Sequence, residues 1–257
     1  MASETYAISA SLPKKLPFSF RVHSAFTHAV NLLGENDEWF TIVTASKPLV
    51  PQGWKVATDV LPPIKVGESV TLRDGMLTFE HTAWRVALSA AQRIDLHGET
   101  LKHHSPQAWR EATHLALLTI SGQRSQRGKA PLWKEPAFQE APLDEQVTSL
   151  LGRGPGLTPS GDDFLLGWLW SWQHWAHPRT AALQEAILKR RSLTIPISQH
   201  FFTLVLAGQW VECLKVAETR PFEGFSWLAQ QGANSGGDTL EGIAFGFHTL
   251  ASVAVSS

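Results

Sequence analysis

The chain has little cysteine, little tyrosine and almost no net charge. Of its 257 residues one is a cysteine, Cys213, so neither an intrachain disulfide nor a thiolate metal cluster can form. The formal net charge is −1, and basic and acidic residues are interspersed, which gives no electrostatic footprint for nucleic acid or an anionic membrane. We therefore expect small-molecule or protein partners, and a packed Cys213 in a reducing compartment.

Long hydrophobic runs and common catalytic signatures are also missing. No window approaches the roughly 18 uninterrupted apolar residues of a membrane-spanning helix, and no apolar leader follows the N-terminus, so we expect a cytoplasmic location. The sequence has no Gly-x-Ser-x-Gly elbow, Walker A loop or His-Glu-x-x-His motif, which disfavours the usual hydrolases and nucleotide triphosphatases. Two histidine pairs, His103 with His104 and His174 with His177, lie beside no glycine loop and are expected at the surface.

The most informative segment present is a glycine- and proline-rich run that ends in two aspartates, residues 151–163 (LGRGPGLTPSGDD). Glycines let the backbone approach a bound group, prolines fix their own φ, and Ser160 is a good N-cap for the apolar segment from Phe164 onward. An aspartate in a first helical turn is favoured by the helix dipole without any ligand. Two adjacent carboxylates behind such a loop indicate a functional pocket.

A second copy of this motif lies 75 positions later. Residues 235–242 (SGGDTLEG) match residues 160–167 (SGDDFLLG) at five of eight positions. Both copies open an apolar helix, which predicts two helix starts that present Asp163 and Asp238 from related positions and converge on one pocket. Gly167 and Gly242 are equivalent, and such helical glycines cost about 1 kcal/mol each relative to alanine. A close crossing of the two helices would offset that cost.

Two regions of different character predict an α+β fold. Between about residues 18 and 90, short β-prone runs alternate with turn signals, including a tight turn at residues 73–75 (RDG), which indicates a small sheet or barrel. After about residue 105 helices dominate, near residues 105–120, 143–151, 160–175, 179–191, 195–206, 222–230 and 237–253. We expect a β-rich domain at residues 1–104 and a helical domain at residues 105–257 that carries both loops.

Tryptophan is abundant, with eleven in the chain, and four of them crowd one predicted helix: Trp168, Trp170, Trp172 and Trp175. Three of the four share a helix face at spacings of four and three. Such a stripe is more typical of a core or a subunit interface than of a stacking platform, so we interpret it as burial.

The two loops present a chemical conflict. Outward N–H groups at a helix start suit phosphate, whereas Asp162 and Asp163 would repel an anion. Either a divalent metal such as Mg²⁺ bridges the carboxylates to the substrate, or basic side chains hold the anion. The candidate cations are Arg153, Arg124, Arg127 and residues 189–191 (KRR), of which Arg153 is the best placed and the 189–191 run is more typical of a solvated helix end. Thr194 and Ser198, four apart, are weaker candidates that would share one helix face.

The chain resembles a bacterial family of unknown function that includes the AllH-type subunit of oxamate carbamoyltransferase, from anaerobic allantoin degradation. The resemblance rests on residues 154–163 (GPGLTPSGDD) and extends to residues 29–33, 51–54, 194–208 and 232–242. It implies a chain that works with two larger subunits, one resembling an acyl-CoA synthetase subunit, to move a carbamoyl group between oxalurate and phosphate, with carbamoyl phosphate feeding a carbamate kinase. The matching positions are Gly154, Gly156, Thr158, Ser160, Asp162, Asp163, Ser235 and Asp238.

These observations together give a candidate site. The catalytic candidates are Asp162, Asp163 and Asp238, and the substrate-binding candidates are Arg153, Gly154, Gly156, Thr158, Ser160, Gly161, Thr194, Ser198, Asn234, Ser235, Gly236 and Thr239. The substrate would be carbamoyl phosphate or oxalurate. Family members commonly carry histidine after the glycine of the second motif, whereas here Ala233 and Asn234 follow Gly232. Asn234 can hydrogen-bond but cannot transfer a proton, which puts any role of that imidazole in doubt.

Two other functions remain open at this point. The aspartate motifs faintly resemble those of ADP-ribosylglycohydrolases, which would make the chain a stand-alone Mg²⁺-dependent hydrolase. Alternatively, the chain is a non-catalytic scaffold whose tryptophan-rich helix docks a partner.

Overall fold

The computed structural model describes residues 2–88, 91–99, 105–124 and 134–254. The chain divides into two compact units. The first contains Met1–His97 together with Gln209–Glu212, and the second contains Gly98–Gly208 and Cys213–Ser257. Strands lie in the first and helices dominate the second, so the predicted α+β class, with a β-rich part followed by a mainly helical part, is confirmed.

The first unit is a closed barrel. Its described strands are β1 (Ala2–Ser9), β2 (Ser19–Ala25), β3 (Ala29–Gly34), β4 (Trp39–Thr44), β5 (Gly53–Val56), β6 (Ser69–Arg73), β7 (Met76–Phe79), β8 (Arg85–Ala87) and β9 (Gln92–Ile94). They are hydrogen-bonded in the order β5-β4-β3-β2-β6-β7-β8-β1-β9, and an additional pairing of β1 with β5 closes the ring through eight strands. β9 pairs with the last part of β1, beyond the stretch that β8 covers.

Alternating side chains fill this barrel with branched and aromatic residues, including stacked Phe40 and Trp54 with ring centroids 5.5 Å apart. The turn predicted at residues 73–75 is confirmed. Arg73 pairs with Met76, and the two residues between them, Asp74 and Gly75, have φ values of 49° and 72°. Two successive positive φ values are typical of the type I′ turn that matches strand twist.

The described helices of the second unit are α1 (Pro106–Arg124), α2 (Pro136–Glu140), α3 (Leu143–Leu150), α4 (Ser160–His174), α5 (Thr180–Arg190), α6 (Pro196–Leu206), α7 (Glu212–Ala217), α8 (Pro221–Ala229) and α9 (Ser235–Ala254). α2 and α7 were not predicted, because five or six residues are too few to show helical periodicity.

Among the residues with described structure, no helix is long and apolar enough to cross a membrane.

The tryptophan-rich helix α4 lies in the core of the second unit. Trp168 and Trp172 of the predicted stripe are buried, as is Trp170, whereas the third member of the stripe, Trp175, is half-buried. Trp168 and Trp172 pack edge to face with centroids 5.1 Å apart, and Trp168 also packs edge to face on Phe245 of α9. Cys213 is buried as well, as expected.

Candidate functional site

Helices α4 and α9 cross at their equivalent glycines. A Cβ atom on Gly167 would lie 1.9 Å from the carbonyl oxygen of Thr239, and a Cβ on Gly242 would lie 1.9 Å from the carbonyl oxygen of Phe164. Phe164 and Thr239 occupy the same position of the two sequence copies, so the crossing has an internal two-fold relation. Close contact of the two repeat helices, predicted from these glycines, is confirmed.

The loops that precede the two helices share a backbone pattern. In the first loop (residues 151–159), the Leu150 carbonyl accepts the Arg153 N–H at 2.9 Å, and the Arg153 carbonyl accepts the Gly161 N–H at 2.9 Å. A Cβ on Gly161 would lie only 2.0 Å from the Leu150 oxygen. The second loop (residues 230–234) repeats both bonds and the close approach through Leu228, Gln231 and Gly236. Glycine at the second helical position therefore lets each loop fold back on the preceding helix.

Asp163 and Asp238 are the fourth residues of α4 and α9, and both are buried. Burial raises the pKa of the Asp163 carboxyl well above its ordinary value of 3.8, and the charge of Asp238 raises it further. Hydrogen bonding from the hydroxyls of Ser235 and Thr158 acts in the opposite direction. Groups from the starts of both helices thus act on one carboxyl, which places the two helix starts beside each other.

One oxygen of Asp163 is not used in the protein's own hydrogen bonding. Its Oδ2 is buried and has no hydrogen-bond partner among the described residues. A carboxyl with a raised pKa keeps its proton to higher pH, so that it can donate as well as accept a hydrogen bond. An anionic ligand is therefore repelled less by this carboxyl than it would be by a pair of ionised aspartates.

Asp162 holds the first loop in place. Its Oδ1 accepts the Gly152 N–H at 2.8 Å, and its Oδ2 accepts a short hydrogen bond from the Thr194 hydroxyl. Burial raises the pKa of Asp162, and the hydrogen bonds from Thr194 and Gly152 oppose that shift. Gly152 was not among the predicted site residues. Its φ of 70° favours glycine, and an added Cβ atom would lie only 2.5 Å from the carbonyl oxygen of Leu193.

Two local predictions were wrong. Ser160 is the first helical residue rather than the N-cap, because Pro159 takes the cap position and its carbonyl accepts the N–H groups of Asp162 and Asp163. Thr194 and Ser198 do not share a helix face, since α6 begins only at Pro196 and Thr194 is extended, with ψ 174°. Both hydroxyls nevertheless approach Asp162.

The remaining candidates form the outer part of the two loops. Arg153, Gly154 and Gly156 are exposed, and the two glycines have φ values of 107° and 115°. Asn234 is exposed in the second loop, where its carbonyl accepts the Asp238 N–H at 2.9 Å. The Thr239 hydroxyl is directed back into α9, donating to the Ser235 carbonyl at 2.9 Å.

The other cations do not join this site in the described structure. Lys189 pairs with Glu185 on the same helix at 2.6 Å, and Arg190 pairs with Asp144 at 2.9 Å, as a solvated helix end would. Arg127 lies outside the described residues, as does the side chain of Arg124.

The histidine prediction was wrong where it can be checked. His174 and His177 are buried rather than at the surface, whereas His103 and His104 lie outside the described residues. Nε2 of His174 lies 2.9 Å from Glu218 Oε1, and His177 stacks on Trp172. Each buried imidazole therefore has a partner in the fold, Glu218 for His174 and Trp172 for His177, and the spacing of the two histidines in the sequence does not reveal these partners.

The described side chains offer no preformed metal centre. No group of three or more His, Cys, Asp or Glu in this part of the chain is placed to hold a metal ion. Both oxygens of Asp162 already accept hydrogen bonds from the protein. The magnesium hypothesis therefore finds no ligand cluster among these residues.

Comparison with known families covers most of the chain. The profile described as oxamate carbamoyltransferase subunit AllH matches residues 150–247, and that described as the AllH family N-terminal domain matches residues 5–93. The chain belongs to the AllH family. The AllH match spans both loops and every candidate site residue, and the N-terminal match covers most of the barrel. No curated protein and no solved structure matches the chain significantly.

Proposed function

We propose that this chain is the AllH-type subunit of an oxamate carbamoyltransferase complex, and that its two loops bind the substrate whose carbamoyl group is transferred. The observation that carries this proposal is the carboxyl of Asp163, buried between two equivalent helix starts with one oxygen left without a protein partner. The family match supports the subunit role, because it spans this arrangement.

Electrostatics favours an anionic ligand such as carbamoyl phosphate or oxalurate here. Helices α4 and α9, of 15 and 20 residues, direct the positive ends of their dipoles to the converging loops. The raised pKa of Asp163 reduces the negative charge at this point. Arg153, exposed in the first loop, supplies a cation that can neutralise the ligand.

The transfer itself needs orientation and charge stabilisation. The amide nitrogen of oxamate attacks the carbonyl carbon of carbamoyl phosphate, and the bond from that carbon to the phosphate oxygen breaks. The proton lost by the nitrogen passes to the released phosphate, which leaves oxalurate and hydrogen phosphate. In our proposal protonated Asp163 donates a hydrogen bond to the reacting group, and Asp238 maintains that protonation through its charge. Asp162 positions the loop through Gly152 and Thr194.

The complex supplies the rest of the chemistry. We propose two larger partner subunits, a cytoplasmic location and a place in allantoin catabolism, in which carbamoyl phosphate passes to a kinase. On this basis the isolated chain is inactive, and activity appears only after the partners are added.

The test is oxamate-dependent phosphate release from carbamoyl phosphate, measured for the chain alone and for the complex reconstituted with both partners. We expect release only from the complex. Asp163→Ala and Asp238→Ala should each lower kcat at least 100-fold, in line with the roughly 10²–10⁴-fold range of acid and base groups. Asp163→Asn, which keeps a neutral hydrogen-bond donor, should retain more activity than Asp163→Ala.

The control is Asp144→Asn, which removes an exposed carboxylate near the start of α3 and should leave kcat unchanged. If both alanine variants remain fully active in the complex, the loops are not the transfer site. If the wild-type complex releases no phosphate, the substrate assignment itself is wrong.

A further inference from the structure

A separate cavity of about 330 Å³ lies within the second unit, at the far ends of α4 and α9. Trp168, Trp172 and Phe245 form its aromatic walls. Trp168 and Trp172 follow Asp163 by five and nine residues, which places them about 7 and 13 Å further along the helix. No residue of the two loops lines this cavity, so it is distinct from the site described above.

His177 provides a buried hydrogen-bond donor in this cavity. Its Nδ1 accepts the backbone N–H of Arg179 at 3.1 Å, and its ring stacks on Trp172 with centroids 3.8 Å apart. Burial, with a smaller effect of the Arg179 charge, lowers the pKa of His177 to about 4. The imidazole is therefore neutral near pH 7, and because Nδ1 accepts, Nε2 carries the proton.

That Nε2–H has no hydrogen-bond partner among the described residues, although His177 is only 4% exposed. A buried donor left unsatisfied costs about 1–3 kcal/mol, so an acceptor within the cavity would be stabilising. Trp168 also carries a buried indole N–H without a described partner. Two residues that line the cavity thus carry donors that the described protein groups do not use.

The charge of the cavity favours an anion. Its described lining includes Arg179 and no Asp or Glu. Arg179 is exposed at the cavity, where it can form the paired hydrogen bonds that carboxylates prefer. The volume is near the lower end of the roughly 300–1,000 Å³ range of ligand pockets, which suits a small molecule.

We propose that this cavity binds a small organic carboxylate, whose anionic end meets Arg179 and the Nε2–H of His177 and whose flat apolar part packs on Trp168 and Phe245. This site is independent of the carbamoyl-transfer proposal, and either can fail without the other.

Benzoate and benzamide are suitable probes, since they share one flat ring and differ in charge. Calorimetric titration of the full chain should show saturable benzoate binding in the millimolar range or tighter, and benzamide should bind at least tenfold more weakly. Arg179→Gln should weaken benzoate binding about tenfold or more, because it removes a charge-assisted pair. The substitution keeps the backbone N–H that bonds His177.

Four further variants locate the binding. His177→Phe keeps an aromatic ring beside Trp172 but removes the donor, and should weaken benzoate binding several-fold. Ala141→Leu adds bulk to a residue that lines the cavity and should block both probes. Arg191→Gln, a matched loss of an exposed arginine elsewhere, and Asp163→Asn should leave benzoate binding unchanged. Equal binding of the two probes, unchanged binding by Arg179→Gln, or no saturable benzoate binding would overturn the proposal.

Discussion

At the scale of residues, the candidate site distinguishes three aspartates that look alike in sequence. Asp162 accepts hydrogen bonds from Gly152 and Thr194, whereas Asp163 has a buried oxygen without a described partner. Asp238 acts on Asp163 through its charge. The difference follows from which groups surround each carboxyl, so equal residue type does not imply equal role.

The pH dependence of stability should report the state of Asp163. Because the folded-state pKa is raised above 3.8, the native chain holds this proton more tightly than the unfolded chain, and the associated stability is lost as pH rises from 3.8 through the folded pKa. Asp163→Asn cannot ionise and should escape that loss. We expect the Tm of the variant to rise relative to wild type as pH increases.

The measurement is thermal unfolding by circular dichroism at a series of pH values, with Asp144→Asn as the exposed control. The control should follow the wild type throughout. A Tm difference for Asp163→Asn that does not change with pH would contradict the raised pKa.

Thr194 should stabilise the first loop through Asp162. Thr194→Val removes the hydroxyl but keeps the shape, leaving one buried carboxylate oxygen without its donor, and should lower the free energy of unfolding by about 1–3 kcal/mol. Thr194→Ser keeps the hydroxyl and should cost less. Chemical denaturation measures both, and equal losses in the two variants would assign the effect to packing instead.

At the scale of elements, the second unit is organised by a repeated loop and helix. Each copy brings a loop onto the preceding helix through a glycine at the second helical position, and each helix meets the other at a second glycine. This arrangement places Asp163 and Asp238 together. Rigid helices hold the two carboxyls in fixed positions, as a site that orients small substrates requires.

The crossing of α4 and α9 should tolerate no added methyl group. Gly167→Ala and Gly242→Ala would each place Cβ 1.9 Å from a carbonyl oxygen of the other helix. Overpacking of this kind costs about 1–3 kcal/mol or more, against the roughly 1 kcal/mol gained in helix propensity. We therefore expect a net loss of stability in chemical denaturation, and insoluble chain in the more severe case.

Ala182→Gly is the matched control, because it changes one methyl at an exposed position of α5. It should cost only about 1 kcal/mol. If the two alanine variants are as stable as wild type, the helices do not cross closely.

At the scale of the whole molecule, tryptophan is a core residue in both units. Among the described residues, the almost fully buried indoles include Trp54, Trp84, Trp109, Trp168, Trp170 and Trp210. Residues of the same unit, including Phe245 of α9, cover most of the tryptophan-rich helix. This packing argues against the hypothesis that the helix docks a partner.

Iodide quenching of tryptophan fluorescence tests this distribution. The folded chain should be quenched far less than the chain unfolded in guanidinium chloride, because iodide cannot reach buried rings. Quenching of the folded chain close to that of the unfolded chain would show exposed indoles and restore the docking interpretation. The free amino acid in each buffer controls for solvent effects on the quenching constant.

Local patterns of residues were enough to predict the order of the regions, the β6–β7 turn, the two repeated helix starts and the burial of Trp168 and Trp172. These features depend on local periodicity, on positive φ and on close approach that glycine permits, so they can be recognised within short windows. The crossing of α4 and α9 was also predictable, since Gly167 and Gly242 occupy equivalent helical positions where glycine costs stability unless another helix comes close.

The use of individual side chains, by contrast, depends on contacts between residues far apart in the chain. The bond from Thr194 to Asp162 joins residues 32 positions apart, and the pairing of His174 with Glu218 joins residues 44 apart. The cap at Pro159, the burial of His177 and the cavity beside it likewise depend on neighbours brought in by the fold. Desolvation and hydrogen bonding set the chemistry of a carboxyl or an imidazole, and both are properties of its three-dimensional surroundings.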